Sequence, residues 1–322
     1  MISKKDIEQK YEVIKNDIDK TPLVFSPELS NISEANVYLK MENLQRTGSF
    51  KIRGVLSKLS TIHATEFNKP FVAASTGNHA AAFGHAAKKY GFRGILFLPE
   101  QTSEAKVKAL DSYPIEKFFY GKSSMETEMK ATDHAKEVGG VLIHPYNDLE
   151  IIKGQGTIGL EIQEQLPEVD TILTPIGGGG LISGIASYYA NNDAVNIVGC
   201  QPVNASEMYH SIQKGSIVPP SNLDTIADAS AGGIETDAVT FDICKNLVSN
   251  FELVEEEDIK KALAFIVKYH QTIIEPACAL TVSPLLTTKK YTGKNVVLVL
   301  TGKKININLL TEILQKYGNY YS

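Results

Sequence analysis

Four consecutive glycines, Gly177, Gly178, Gly179 and Gly180, separate a β-branched run, TILTPI, from an apolar segment with helical spacing. They make a poor strand or helix interior, because each loses backbone entropy on folding and packs nothing. At a strand-to-helix turn they let several backbone N–H groups converge on one anion beside the positive end of a helix, so the chemistry expected is phosphate binding. No Lys-Ser or Lys-Thr follows, which separates the segment from a nucleoside-triphosphate loop. Lys51, in QRTGSFKIRGV, sits just inside a helix for which Thr47 or Ser49 is the expected cap. A positive helix end disfavours the ammonium and favours the neutral amine, the form that attacks a carbonyl to give a Schiff base. In ASTGNHA, the Ser75 and Thr76 hydroxyls, the Asn78 amide and the backbone donors open another helix after an apolar strand, which suits a carboxylate. A G-x-G-x-x-G match at Gly154, Gly156 and Gly159 is set aside as a dinucleotide site. NDLEIIK before it is no convincing strand, and no acidic residue after a second strand is placed to hold a ribose.

Elements that would position these residues can be read from apolar periodicity. Ile7, Tyr11, Ile14 and Ile18 predict an N-terminal helix ending before Thr21-Pro22. Short apolar runs without polar alternation follow at 37–39, 71–73, 94–98, 141–143, 171–173, 197–199 and 296–300. Between most of them lie helical stretches such as Asn78 to Tyr90, Ser123 to Val138 and Leu181 to Tyr189. Strands buried on both faces and alternating with helices predict an α/β fold with mainly parallel sheet.

SFKIRG, STGNHA and GGGGL, in this order, resemble the fold-type II pyridoxal-phosphate enzymes, in particular the threonine/serine dehydratase and serine racemase family. The resemblance covers almost the whole chain. It implies two open, twisted, mainly parallel sheets flanked by helices. A large domain, 1–70 and 146–322, would be interrupted by a small mobile domain, 71–145. It also implies that Lys51 carries pyridoxal 5'-phosphate, that Gly177, Gly178, Gly179, Gly180 and Leu181 hold the phosphate, that Phe50 flanks the ring and that Asn78 meets the ring hydroxyl. Ser75, Thr76, Asn78 and His79 would hold the substrate carboxylate, with the Thr76 hydroxyl near Cα opposite Lys51. Thr301, in VLTGKKIN, is the matching partner for the pyridine nitrogen, and Glu275 matches a glutamate near the ring. A divalent-cation site in such enzymes maps onto Gln201, Ala205 and Glu207, where a neutral amide in place of a carboxylate weakens the donor set.

The activity implied is dehydration and deamination of a 3-hydroxy amino acid such as threonine or serine to a 2-oxo acid and ammonia. The acid for the leaving hydroxyl would be the cofactor phosphate or a nearby hydroxyl. The alternatives are a serine racemase, or a dehydratase for 3-hydroxyaspartate or phenylserine. The expected partner is a small amino acid, with a homodimer or homotetramer as the assembly. Composition agrees with a folded enzyme: 322 residues, 43% hydrophobic and 21% charged. The net charge of −5, without a basic patch, argues against nucleic acid as a partner. Cys200, Cys244 and Cys278 are few and far apart, which predicts free core thiols in a reducing compartment. No run approaches the ~20 apolar residues of a membrane span, so no membrane partner and a cytoplasmic location are expected.

Overall fold

Ten strands divide into two sheets in the computed structural model, which describes residues 2–221 and 223–321. In chain order they are β1 (Leu23–Phe25), β2 (Asn36–Lys40), β3 (Phe71–Ala74), β4 (Gly94–Leu98), β5 (Ile115–Phe119), β6 (Val141–Leu142), β7 (Thr171–Pro175), β8 (Asn196–Pro202), β9 (Asn250–Val254) and β10 (Asn295–Val299). The six-stranded sheet runs β1-β2-β10-β7-β8-β9, with only the β1–β2 pair antiparallel. The four-stranded sheet runs β5-β4-β3-β6 and is parallel throughout. Central strands such as β3, β4 and β7 are buried along their whole length, as helices on both faces require. All seven expected strands form. The three that escaped notice lie at sheet edges or, like β1, are only three residues long. β5 (IEKFF) and β9 (NFELV) carry charges and half-exposed residues because an edge strand is wetted on one side.

The N-terminal helix spans Lys4–Ile14, held at its start by a reciprocal Ser3–Asp6 capping box. It stops short of the expected end. Ile18 is buried, but in the turn beyond the helix, so burial rather than helical periodicity continued the pattern. Among the described residues no helix is long and apolar enough to cross a membrane.

The helix Leu149–Gln165 is the scaffold for the chemistry, and it explains the G-x-G-x-x-G match. All three glycines lie inside this helix; Gly154 and Gly156 let other backbones approach, and Gly159 leaves room for the Tyr188 side chain. A Cβ on Gly154 would lie 2.5 Å from the Arg53 carbonyl oxygen, and one on Gly156 would lie 2.8 Å from that of Gly184. Two further helices, Lys51–Leu59 and Gly180–Tyr189, therefore cross it at backbone distance. The first is also tied by fully buried Arg53, whose guanidinium donates to both Glu42 and Glu161, with Lys40 donating to Glu161 as well. Breaking such a buried network by removing one partner costs about 3–5 kcal/mol.

Candidate active site

Between the two sheets lies a cleft of about 750 Å³. Lys51 is the first residue of its helix and points into it. Phe50 occupies the cap position and no side chain caps this helix, so Thr47 and Ser49 do not play the expected part. The reason is local. Residues 49–50 pair with the chain after β10, through a Ser49–Gly302 bridge and a 3.1 Å bond from the Phe50 N–H to the Thr301 carbonyl, which fixes the turn by main chain alone. Lys51 Nζ donates to the Pro145 carbonyl at 2.8 Å and lies 5.3 Å from the centre of the Phe50 ring. Burial pulls its pKa down to about 8, against the opposing pull of Glu128 and Glu275.

Gly177 to Leu181 line the same cleft. Gly179 takes φ +87°, a left-handed conformation that needs glycine, and opens the Gly180–Tyr189 helix, whose first N–H groups have no carbonyl one turn earlier to bond. A Cβ on Gly178 would come within 2.4 Å of the Tyr146 ring, and the Thr240 hydroxyl donates to the Gly178 carbonyl at 2.7 Å. The loop is thus clamped between Tyr146 and Thr240 at the wall of the cleft.

On the opposite wall the Asn78 side-chain nitrogen donates to Glu275 at 2.6 Å, and the Thr301 hydroxyl bonds the other Glu275 oxygen at 2.8 Å. Burial raises the Glu275 pKa, partly offset by these two donors. Asn78 Oδ1 is left buried and without a hydrogen-bond partner. An amide oxygen repels a carboxylate, so this side chain presents an acceptor suited to a hydroxyl, and only its backbone N–H remains to serve a carboxylate. The same correction applies to His79. Its Nε2 donates to the Ile143 carbonyl at 2.8 Å, and burial with Lys51 nearby pushes the ring down to about 3, so it stays neutral. Ser75 and Thr76 line the cleft as expected, with Ser75 Oγ accepting from the Gly77 N–H.

Gln201 does not supply a cation ligand. Its Oε1 accepts from the Tyr209 N–H at 2.9 Å, and its Nε2 points at the Ala205 and Ile176 carbonyls, 3.4 and 3.5 Å away. Glu207 accepts from the Ser221 N–H. An amide donor thus stands where an ion would have to meet the Ala205 oxygen, and the residues present do not fit a divalent cation. All three cysteines are free and buried.

The family model described as pyridoxal-phosphate dependent enzyme matches residues 14–302. The chain belongs to this family. Within it, the chain is 35% identical to an L-threonine ammonia-lyase of Thermotoga maritima over 98% of this chain and 79% of that protein. It is 36% identical to a catabolic L-threonine dehydratase of Staphylococcus aureus over 98% of this chain and 92% of the relative. Among solved structures, maize serine racemase superposes with a TM-score of 0.90 at 28% identity, covering 99% of this chain and 98% of that one. A processed threonine deaminase isoform 2 from Solanum lycopersicum gives 0.89 at 30%, covering 97% and 86%. As a member of the pyridoxal-phosphate dependent enzymes the chain has the parts that the cofactor needs. They are a glycine turn at a helix start, a partly buried amine of depressed pKa, and an unpartnered acceptor at Asn78.

Some residues of the cleft carried no signal in the sequence. Tyr146, clamping the glycine loop, follows IHP in a segment without a motif. Glu128 sits in a helix, Ser124–Glu137, with charges all round it, and only packing against the cleft distinguishes it from its neighbours.

Proposed function

We propose that the protein is a pyridoxal-phosphate lyase that removes the β-hydroxyl and then ammonia from a 3-hydroxy amino acid, threonine or serine in the first instance, leaving a 2-oxo acid. The observation that carries this reading is that Lys51, the glycine cradle and the 75–79 loop all face one cleft. The names of the relatives support it. Lys51, Gly177 to Leu181, Phe50, Asn78 and Thr301 would hold the cofactor, which supplies an electron sink for the pair left when Cα loses its proton. Thr301, whose hydroxyl donates to Glu275, would turn that hydroxyl to the pyridine nitrogen, and a hydroxyl in place of a carboxylate there would make the sink moderate and favour elimination over transamination. The Ser75 and Thr76 hydroxyls and the Asn78 and His79 N–H groups, at a helix start, orient the substrate carboxylate. Lys51 would take the Cα proton, and its lowered pKa leaves a useful fraction neutral near pH 8. Residues 71–145, which include the whole four-stranded sheet, act as a small domain that closes on the substrate against 1–70 and 146–322.

Racemisation is the second reading, favoured by the Thr76 hydroxyl in the cleft and by the likeness to maize serine racemase. The test is direct. Purified protein incubated with pyridoxal phosphate turns yellow, borohydride fixes the label to Lys51, and L-threonine and L-serine yield keto acid. Lys51→Ala abolishes turnover, and label on another lysine sinks the assignment.

A further inference from the structure

Departure of hydroxide from Cβ needs a proton donor, because the oxygen leaves readily only as water. Glu128 lines the cleft that holds Lys51, and its carboxyl makes no hydrogen bond or ion pair among the described residues. Behind it stand His144 and Glu235, and one ligand atom from each of the three lies within 4.8 Å of the others. Such a triplet invites a metal reading, which the hydrogen bonds oppose. His144 Nδ1 accepts from two backbone N–H groups, of Tyr146 at 3.2 Å and Asn147 at 2.7 Å. The ring proton therefore sits on Nε2, which donates to Glu235 at 3.1 Å and has no lone pair left for an ion. Asn147 Nδ2 holds the other Glu235 oxygen at 2.8 Å. With two donors, Glu235 keeps its pKa below the ordinary value despite burial and remains an anion.

Glu128 is the opposite case, a half-buried carboxyl without a donor beside a fixed negative charge. The groups facing it are His144 and Glu235 from the loops behind, Lys51 from its own helix and the Tyr146 phenol. Burial first, and then Glu235, push its pKa up to about 7, with Lys51 opposing. Near neutral pH a large share of Glu128 carries a proton while Lys51 can act as base, and two groups whose surroundings drive them towards opposite roles mark an acid–base pair.

We propose that Glu128 is a catalytic residue that donates its proton to the departing β-hydroxyl. The inference rests on the dehydratase reading above. As the Cβ–O bond breaks, its electron pair stays on oxygen, which takes the Glu128 proton and leaves as water. The pair released by Cα–H cleavage becomes the Cα–Cβ double bond, and Lys51 retains the Cα proton. Glu128, now a carboxylate, regains a proton from solvent through the cleft.

Glu128→Gln keeps the shape and removes the acid. The holoenzyme variant is assayed with L-threonine, with L-serine and with β-chloro-L-alanine, whose chloride leaves without a proton, using initial rates. The expected result is a loss of about 10²–10⁴ in kcat on the two hydroxy substrates, with chloroalanine turnover, cofactor absorbance and Tm near wild type. Glu128→Asp recovers part of the hydroxy activity. Wild-type kcat on threonine passes through a maximum between about 7 and about 8 and falls at higher pH as protonated Glu128 is lost, and this falling limb is missing with chloroalanine. Independently of turnover, infrared difference spectra of the wild type show a carboxylic-acid carbonyl band titrating in that range and absent from Glu128→Gln. Equal losses on hydroxy and chloro substrates, or undiminished hydroxy turnover, overturn the role of Glu128 and leave the dehydratase reading standing. A wild type that releases keto acid from chloroalanine and from no 3-hydroxy amino acid overturns both.

Discussion

Burial sets how the nucleophilic lysine behaves. Lys51 is drawn from the ordinary 10.5 to about 8, and the neutral amine is the reactive form. Reconstitution of apoenzyme with pyridoxal phosphate, followed by absorbance, should therefore accelerate as pH rises to about 8 and then level off. Acceleration continuing towards 10.5 would mean an ordinary exposed amine. Thr76 divides the two functional readings. Elimination from one enantiomer needs only the base on the Lys51 side, whereas racemisation needs a proton carrier on the other face as well. Thr76→Ala should keep most dehydration and remove exchange between enantiomers, as chiral analysis of residual substrate reads out. Equal loss of both activities with cofactor still bound refutes this division. The lysine and the glycines were legible from sequence because each follows from a constraint carried by few residues. Asn78 and His79 were read too generously. Their residue types permit carboxylate binding, but bonds to Glu275 and Ile143, far away in the chain, decide where their polar atoms point.

Secondary structure was read best where strands are buried on both faces and worst at edges and ends, because local hydrophobicity reports burial and burial is weakest there. The glycines of the 149–165 helix show the limit more sharply. Their spacing imitates a nucleotide fingerprint, yet Gly154 and Gly156 are there because another backbone crosses the helix and Gly159 because the Tyr188 side chain packs on it, tertiary facts with no local signature. This contact also fixes the distance between the lysine and the glycine loop, since both helices that carry them rest on it. A Cβ on Gly184 would meet the Ile152 carbonyl oxygen at 2.4 Å and the Gly156 nitrogen at 2.5 Å. Gly184→Ala should accordingly destabilise by about 1–3 kcal/mol, seen as a Tm lower by roughly 2–4 °C per kcal/mol. Cofactor affinity should weaken with it, because the helix that starts at the cradle must shift. A variant with unchanged Tm and cofactor affinity would show that the crossing is looser than its geometry indicates.

At the scale of the whole molecule the two sheets enclose the Lys51 cleft, and what holds the larger sheet to its loops decides whether an ion is needed. The division into two sheets could be anticipated only through family resemblance, since nothing in the composition marks residues 71–145 from the rest. Gln201 lies at the end of β8 and joins three parts of the large sheet's rim. Its oxygen caps the start of the Glu207–Lys214 helix, and its nitrogen faces the carbonyls of Ala205 and of Ile176, the residue before the glycine cradle. An amide proton here does the electrostatic work of a cation, offsetting two carbonyl oxygens that would otherwise face each other in a buried space. Chelator should therefore leave the Tm and kcat of the wild type nearly unchanged. Gln201→Glu reverses the situation, because it sets a carboxylate against those oxygens and leaves a buried charge uncompensated. The variant should melt lower in chelator and be raised by calcium, by about 2.7 kcal/mol of stability at a hundred times the dissociation constant. Loss of wild-type activity in chelator, restored by magnesium or calcium, would show that Glu207 and the backbone carbonyls bind an ion without help from position 201. The amide would then be a bystander in a metal site rather than its replacement.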